Sequence, residues 1–402
     1  MTKQNTIPKH WQIKKIGEVC NCVTGTTPPK IDSSNYGNDI PFVKPPQLLN
    51  RAINDSPEKL SNKGSEKARI LPINSVLVTC IGNLGRTAIN KTPVAFNQQI
   101  NAMIPPKSIN GRFLFYQAQS FYFQTQLKEL SSATTVSIVN KSKFQTIKIK
   151  IPPLPEQQAI VAKIEELLSD LENGKQQLLT AQQQLKVYRQ SLLKWAFEGK
   201  SLLPFEQFIE VSQNGLSKRS GTKGCEFKVL RLADIDNNTI NVSNPRKILM
   251  DKNEIDKYKL LNNDLVCIRV NGSKDLVGRL VYVSKEDENN DWAFCDHFIR
   301  FKLESIKAFS KFYYYYFLTI KVRKYIHDNM VTSAGQNTVS QVTIKKILVP
   351  DCPIKEQLQI VQELESKLTV CDKIEETISQ SLLQAESLKQ SILKKAFEGK
   401  LV

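Results

Sequence analysis

The sequence lacks the features that mark membrane proteins, zinc-stabilised domains and disulfide scaffolds. It contains no run of about 18 apolar residues, and no apolar signal-peptide core follows residues 1–6. None of its eight cysteines forms a Cys-x-x-Cys pair, and the three histidines, His10, His297 and His327, are widely spaced. We therefore expect a cytoplasmic protein with free thiols, no structural zinc and no membrane association.

Motifs typical of catalysis or nucleotide binding are also missing. Residues 199–201, Gly-Lys-Ser, resemble the end of a phosphate-binding loop, but Lys194 stands where the first glycine is required. Asp351, Glu365 and Lys367 imitate the residues of a nuclease, yet the last two fall within a heptad pattern and not on a strand. We expect a chain without catalytic activity; a nuclease or methyltransferase would need motifs hidden by divergence.

What the sequence does contain is a stretch of about 45 residues that occurs twice. Residues 191–200, SLLKWAFEGK, return as residues 391–400, SILKKAFEGK, with eight of ten positions identical. At the same offset of 200, Glu156-Gln157 returns as Glu356-Gln357. The chain is therefore expected to consist of a duplicated unit.

Each copy of this stretch has apolar residues at alternating steps of four and three, which predicts a long helix with one apolar stripe. At 1.5 Å per residue each helix would be roughly 65 Å long. We expect the two helices to pack on each other within the chain; pairing between molecules is the alternative. The residues predicted to form the seam are Ile160, Ile164, Leu167, Leu171, Leu178, Leu185, Leu192, Ile360, Leu364, Ile374, Ile378, Leu388 and Ile392.

The positive charge of the chain lies outside the helical copies. Residues 1–150 contain 20 lysines and arginines against 7 carboxylates, and residues 201–350 contain 23 against 17. The helical stretches 151–200 and 351–402 contain 6 against 6 and 7 against 9. Basic globular segments joined by neutral helices are typical of a nucleic-acid-binding protein. A lysine-rich solubilising surface is the alternative.

The two basic segments share a mixed α/β plan. Apolar runs at 40–43 and 76–81 predict strands of the first segment, and the aromatic-rich stretch 112–130 predicts a helix. Residues 265–268 correspond to the second of these strands. The aromatic run 312–317 corresponds to the helix, so we interpret it as core and not as a platform for stacking bases.

Together these features resemble the specificity subunit of Type I restriction-modification systems. The resemblance is carried by the doubled Pro-Pro-Leu-Pro-Glu-Gln-Gln and Pro-Ile-Lys-Glu-Gln helix starts, the doubled Ala-Phe-Glu-Gly-Lys helix ends, and Gly-Arg and Thr-Val-Ser within both domains. It implies an α/β (mixed α+β) fold, with two target recognition domains joined by two long antiparallel coiled-coil helices in a pseudo-two-fold internal repeat. The expected boundaries are 1–154 and 201–353 for the recognition domains, and 155–200 and 354–402 for the helices.

The resemblance also implies a function. Each domain would read one half of a bipartite site in double-stranded DNA, and the helices would fix the spacer and dock two modification subunits. These partners would use S-adenosylmethionine to methylate adenine, and restriction subunits would use ATP and Mg²⁺. No cofactor is expected on this chain itself. A coiled-coil scaffold that joins proteins without binding DNA is the alternative from another class.

We expect sequence readout where the two halves differ, and phosphate contacts or support of the fold where they agree, as at Arg86 and Arg279. Arginine, asparagine and glutamine can form paired hydrogen bonds with guanine or adenine edges. The residues predicted to contact DNA are Thr26, Lys30, Lys44, Gln47, Arg51, Asn83, Arg86, Lys218, Arg219, Lys223, Arg231, Arg269, Asn271, Ser273, Lys274 and Arg279.

Shortening both helices should shorten the spacer between the half-sites. Deleting one matched turn from each should change the preferred gap by about one to two base pairs, because a helical turn rises about 5.4 Å and B-DNA about 3.4 Å per base pair. Binding to duplexes whose spacer varies one base pair at a time measures this. An unaltered preferred spacer would show that the length of the helices does not set the length of the spacer.

Overall fold

The computed structural model describes residues 7–131, 136–236, 239–241 and 243–402. It divides into two compact units: unit 1 comprises residues 1–179 and 379–402, and unit 2 comprises residues 180–378. Each unit therefore contains one globular domain and parts of both long helices. Within the described ranges, no helix has the length and apolarity needed to cross a bilayer.

The first domain is built from short strands and a few short helices, and a long helix follows it. Its strands are β1 (Gln12–Lys15), β2 (Asn21–Thr24), β3 (Tyr36–Gly37), β4 (Ile40–Val43), β5 (Arg51–Ile53), β6 (Lys59–Leu60), β7 (Ile70–Leu71), β8 (Val76–Thr79), β9 (Thr87–Asn90), β10 (Val94–Phe96), β11 (Ile100–Ile104) and β12 (Lys148–Ile151). The helices are α1 (Ile16–Val19), α2 (Asn62–Glu66), α3 (Gly111–Gln119), α4 (Phe121–Glu129), α5 (Lys141–Phe144) and the long α6 (Leu154–Phe197).

The second domain follows the same plan and leads into the second long helix. Its strands are β13 (Ser201–Pro204), β14 (Ile209–Asn214), β15 (Cys225–Leu230), β16 (Ile235–Asp236), β17 (Thr239–Ile240), β18 (Arg246–Met250), β19 (Leu265–Ile268), β20 (Val270–Asn271), β21 (Leu280–Tyr282), β22 (Trp292–Phe294), β23 (Phe298–Leu303), β24 (Val331–Ser333), β25 (Gln336–Thr338) and β26 (Leu348–Asp351). The helices are α7 (Lys252–Tyr258), α8 (Lys285–Asn289), α9 (Ser310–Tyr316), α10 (Ile320–Asn329), α11 (Gln341–Lys345) and the long α12 (Ile354–Ala396).

The first domain contains two five-stranded sheets, with strand orders β2-β11-β8-β9-β5 and β3-β6-β4-β10-β7, and a separate pair of strands, β1 and β12. Because side chains alternate along a strand, β8 contributes to two cores. Val76 and Val78 pack with the aromatic residues of α3 and α4, whereas Leu77 packs against the second sheet. All four residues of β8 are therefore buried, which explains its apolar run Val76-Leu77-Val78; the fourth residue, Thr79, is a buried polar residue.

The second domain repeats this arrangement with smaller sheets, of orders β14-β23-β19-β21 and β18-β15-β22. Three further small sheets have the orders β13-β26, β16-β17 and β20-β25-β24. Alternate residues of β19 again face two cores, as Cys267 packs with Phe312 and Val266 packs with Trp292. Within the aromatic run, Phe312, Tyr313, Tyr316 and Phe317 are buried. The interpretation of this run as core is confirmed.

The single helix predicted for residues 112–130 is wrong, because α3 ends at Gln119 and α4 begins at Phe121. Ser120 between them has extended backbone angles, and its hydroxyl caps α4 by accepting from the Phe123 amide. In the second domain Thr319 separates α9 from α10 in the same way. A serine or threonine in an aromatic-rich run is a weak signal, so the periodicity hid the break.

In unit 1, the start of α6 packs on the end of α12. Ile160 and Ile164 form one buried cluster with Ile392 and Phe397, and Lys175 pairs with Glu386 at 2.6 Å. Residue numbers that rise along one helix thus meet numbers that fall along the other, so the packing is antiparallel.

In unit 2, the end of α6 packs on the start of α12. Arg189 pairs with Asp372 at 2.7 Å and with Glu375 at 2.9 Å, and Lys200 pairs with Glu356. This packing is antiparallel as well. The prediction that the two helices pair within one chain is confirmed.

The seam is not entirely the predicted one. Ile374 and Leu388 are 44% and 51% exposed, whereas Cys371 and Ala385 are buried. The face that an α-helix presents to its partner rotates by about 20° per heptad relative to a strict 3.5-residue repeat. In α12, the side chains three residues after the buried Cys371 and Ala385, which are those of Ile374 and Leu388, point outward. The other predicted seam residues are buried or half-buried, namely Ile160, Ile164, Leu167, Leu171, Leu178, Leu185, Leu192, Ile360, Leu364, Ile378 and Ile392.

The domains also hold the helix ends. In unit 1, the Phe397 ring meets Phe113 edge-on at 5.3 Å between centroids, and its carbonyl accepts a 2.9 Å hydrogen bond from the buried Lys150 Nζ. Removal from water lowers the pKa of Lys150. In unit 2, Phe197 meets Phe312 at 5.1 Å. The repeated Ala-Phe-Glu-Gly-Lys segment therefore fastens a helix end to a domain.

A buried glutamine joins the start of each long helix to its domain. Gln157 accepts from the Asn110 amide at 2.8 Å and donates to the Pro152 carbonyl at 2.9 Å. Gln357 accepts from the Phe309 amide and donates to two carbonyls, all at 2.8 Å. The repeated Glu-Gln pair is therefore a structural anchor.

Replacing Gln357 by alanine should destabilise unit 2 by roughly 2 to 4 kcal/mol, because it leaves one buried N–H group and two carbonyls without their partner. Urea unfolding followed by tryptophan fluorescence measures the loss. The matched control is Gln359→Ala, which removes an exposed glutamine two residues along the same helix and should cost less than about 0.5 kcal/mol. Equal losses for the two variants would contradict the anchoring role.

Candidate nucleic-acid interface

Each domain contains a three-residue loop to which several other segments are bonded. We call it the central loop; it comprises residues 97–99 between β10 and β11 in the first domain and residues 295–297 between β22 and β23 in the second. The Asn97 amide donates to the Val43 carbonyl at 3.1 Å, and the Cys295 amide donates to the Leu230 carbonyl at 3.2 Å. The two central loops thus occupy equivalent places.

Further backbone bonds repeat around the central loop. The Cys80 amide donates to the Gln99 carbonyl at 2.8 Å, and the Arg269 amide donates to the His297 carbonyl at the same distance. The Cys80 carbonyl in turn accepts from the Val139 amide. The Arg269 carbonyl accepts from the amide of residue 339 in the same manner. The same pattern of main-chain hydrogen bonds therefore supports the candidate surface of each domain.

A glycine backs the central loop in each domain. A Cβ on Gly25 would lie 2.1 Å from the Asn97 carbonyl oxygen, and one on Gly215 would lie 2.0 Å from the Cys295 carbonyl oxygen. Both distances are far below van der Waals contact, so only glycine lets the main chain come this close. The position of the loop depends on these two residues.

In the first domain, three predicted DNA contacts also have partners within the fold. Lys44 forms an ion pair with Glu58, and its amide is capped by the Gln47 side chain at 2.9 Å. Thr26 accepts from the Arg69 amide at 3.0 Å. These side chains shape the loops that carry them.

The remaining candidates of the first domain are exposed at the surface. Asn83 and Arg86 lie in the turn between β8 and β9. With the Asn83 side-chain amide turned so that its oxygen faces Arg86, this oxygen accepts from two guanidinium nitrogens at 3.0 and 3.2 Å. Lys30 is exposed in the loop after β2, and Arg51 is exposed at the start of β5. Of the Thr-Val-Ser motif beside this turn, Thr135 lies outside the described residues.

In the second domain, two candidates are tied into the fold by carboxylates. Lys218 donates to both oxygens of Glu254, at 2.8 and 2.9 Å. Arg231 contacts Asp234 through two nitrogens, at 2.7 and 3.0 Å, and donates to the Asn244 carbonyl at 2.8 Å. The hydrogen bond to Asp234 raises the pKa of Arg231.

Another group of candidates surrounds the turn between β19 and β21. The Asn271 side chain accepts from the Ser273 amide at 2.8 Å, which folds the turn locally. Arg279 donates to the Asp275 carbonyl at 2.6 Å. Lys274 in this turn is exposed, and so is Lys223 before β15. Asn271 also pairs with β25, so the β24–β25 hairpin lies beside the turn.

Arg219 and Arg269 are brought to the central loop itself. Arg269 bonds to it through its main chain, as described above, and Arg219 forms an ion pair of 3.1 Å with Asp296. Burial raises the pKa of Cys295 at the start of the loop. Cys295, Asp296 and His297 place their ligand atoms within 4.8 Å of one another. They do not form a structural zinc site, which takes four protein ligands, because the described residues offer three here and the carboxylate already pairs with Arg219.

Sequence reasoning missed the central-loop residues Gln98, Gln99, Asp296 and His297. A signal for them was present in the repeat: Ala-Phe precedes the loop in both domains, and the next three residues then change from Asn-Gln-Gln to Cys-Asp-His. Polar residues that differ within a matched frame are candidates for readout.

The residues that imitate a nuclease are used in separate structural contacts. Glu365 accepts from Lys311 at 2.9 Å and from the Tyr315 hydroxyl at 3.1 Å. Lys367 pairs with Glu363 on the same helix at 3.3 Å. Asp351 is the last residue of β26.

Comparisons with known proteins agree with the architecture. Residues 8–181 and 213–384 match the family described as Type I restriction modification DNA specificity domain. The chain is 33% identical over 419 aligned positions to the Type I restriction enzyme StySPI specificity subunit of Salmonella potsdam, which covers 98% of this chain and 90% of that protein. It is 26% identical to the EcoKI specificity subunit of Escherichia coli (strain K12), with the same coverage.

Solved structures have the same fold. A chain from a study of complex assembly and conformational transition in the type I R-M system superposes with a TM-score of 0.78 at 17% identity, covering 98% of this chain and 99% of that chain. The HsdS subunit from Thermoanaerobacter tengcongensis superposes with a TM-score of 0.63 at 18% identity, over the full length of both. The fold, the family match over both halves and the full-length relatives lead to one conclusion: this chain belongs to the family of Type I restriction enzyme specificity subunits.

Proposed function

We propose that this protein recognises a bipartite DNA sequence, one half with each domain, and has no catalytic activity of its own. The observation that carries the proposal is the repeated main-chain frame with different polar side chains on it. A shared frame suits two readers of the same kind of molecule, and different side chains suit two different half-sites.

Charge supports DNA as the ligand. The excess of lysine and arginine is concentrated in the two domain segments, and Lys30, Lys223 and Lys274 are exposed in loops. Cationic loops bind phosphates and release counterions, which favours association with duplex DNA. A scaffold that only joins proteins would not need basic loops around a repeated polar surface.

The long helices are suited to holding partner proteins. In unit 2, Val187, Tyr188 and Trp195 are 67%, 51% and 48% exposed on α6, and in unit 1, Leu383 and Leu388 are 74% and 51% exposed on α12. Large apolar side chains in contact with water are typical of interaction surfaces. We assign these faces to two modification subunits, and restriction subunits would join the same complex.

In this proposal the cofactors belong to the partners. The modification subunits would bind S-adenosylmethionine and methylate adenine, and the restriction subunits would use ATP and Mg²⁺. The complex would act in the cytoplasm, where the chromosome is accessible. This chain would select the DNA sequence on which the partner subunits act, and its helices would set the gap between the half-sites.

Methylation should depend on this chain. A strain that expresses it with its modification subunit should show methylated adenines in a new motif, split by a fixed unspecified gap, and a strain lacking the chain should not. Methylome sequencing measures this directly. If an active modification subunit methylates the same sites without the chain, the proposal is wrong.

An exposed lysine in the turn between β19 and β21 should contribute one phosphate contact. Lys274→Ala should reduce the slope of log K against log salt concentration by about 0.9, with little change in sequence preference. Titrations at several salt concentrations measure the slope. The control is Lys285→Ala. Lys285 has a 71% exposed side chain and lies on α8, which follows β21, whereas the turn that carries Lys274 precedes β21. Identical slopes for the two variants would show that Lys274 makes no phosphate contact.

A further inference from the structure

We infer that the central loop is the element of each domain that reads base edges. Gln98 and Gln99 would do so in the first domain, and His297 together with the Asp296–Arg219 pair would do so in the second. The inference rests on the proposed function, and it names the residues that confer specificity.

The central loop has the rigidity that readout requires. Its main chain in the first domain is held at residue 97 by β4 and at residue 99 by Cys80. The Gln99 amide also donates to the Asn97 side chain at 3.1 Å, which closes a local turn. A site held by such contacts keeps its side chains near one geometry, as selective hydrogen bonding demands.

In the first domain, both glutamine side chains are held by their carbonyl oxygens. The Thr27 hydroxyl donates to Gln98 Oε1, and the Asn97 side-chain amide donates to Gln99 Oε1 at 3.0 Å. This leaves the two side-chain NH₂ groups available to donate to other acceptors. Gln98 is exposed and Gln99 is half-buried, so the pair offers fixed donors to acceptors such as guanine O6 and N7 or thymine O4.

In the second domain, the same place carries different chemistry. Asp296 pairs with Arg219, whose side chain is 56% exposed and retains further N–H donors. His297 Nδ1 lies 3.5 Å from Cys295 Sγ and 3.4 Å from the Asp296 carboxylate, which leaves its Nε2 atom for a ligand. An arginine aligned by a carboxylate suits the two acceptors of guanine.

The contrast between the loops argues against a purely structural role. The residues that precede the loop are Ala-Phe in both domains, and their burial is the same. A loop that only supported the fold would need the same residues in the same frame. The buried first position of the loop also differs, but the exposed and half-buried side chains at the second and third positions are the ones that can tell two half-sites apart.

The test uses the complex of this chain with its modification subunit. Its methylome first gives the split motif, and binding is then measured to that duplex and to duplexes with single base-pair changes. Gln98→Glu/Gln99→Glu keeps the size and the oxygens of both side chains but removes both NH₂ donors. Discrimination should fall roughly 10- to 100-fold at one or more positions of one half-site only. His297→Ala should relax the other half-site.

The matched control is Gln12→Ala, which removes an exposed glutamine on β1 of the same domain and should leave discrimination at every position unchanged. Thermal unfolding should be the same for all variants. Unchanged discrimination in Gln98→Glu/Gln99→Glu and in His297→Ala would overturn the inference while leaving the proposed function intact. Loss of chain-dependent methylation in the wild type would overturn both.

Discussion

The architecture depends on the way each long helix is fastened to a globular domain at its start and at its end. Gln157 and Gln357 supply one kind of fastening, in which a buried amide satisfies main-chain groups of the domain. Phe397 and Phe197 supply the other through aromatic contacts. Because both kinds occur in each unit, a domain and the helix segments beside it form one cooperative body.

This arrangement explains why the duplicated motifs lie where they do. The Glu-Gln and Ala-Phe-Glu-Gly-Lys segments are alike in both copies because they meet the same structural need twice. The exposed surfaces of the domains have no such need in common. Similarity within the chain therefore follows burial and anchoring, and difference follows the surfaces open to a ligand.

Much of the fold could be predicted from the sequence, because helix periodicity and internal repetition are local or self-evident signals. The pairing of the long helices followed from their apolar stripes. The exposure of Ile374 and Leu388 could not be predicted, since it depends on how the contact face drifts along a helix. The break at Ser120 was hidden because a single capping hydroxyl outweighed an aromatic pattern of helical period.

The candidate site was only partly predictable. Loops rich in polar residues could be found, but the ion pairs of Lys44, Lys218 and Arg231 join residues that are separated in sequence or lie in turns. The central loop was missed because its importance comes from bonds to segments far away along the chain. Such convergence is a property of the folded main chain, and its trace in the sequence is visible only when the two halves are compared after the repeated Ala-Phe.

Because Gly25 and Gly215 approach the central loop so closely, a substitution at either glycine can change DNA specificity. A side chain at either glycine would push the loop outward, and every side chain mounted on it would shift together. A protein altered there would keep its reading residues unchanged and yet read DNA differently. Two glycines behind the central loop can thus govern which DNA sequence the protein recognises.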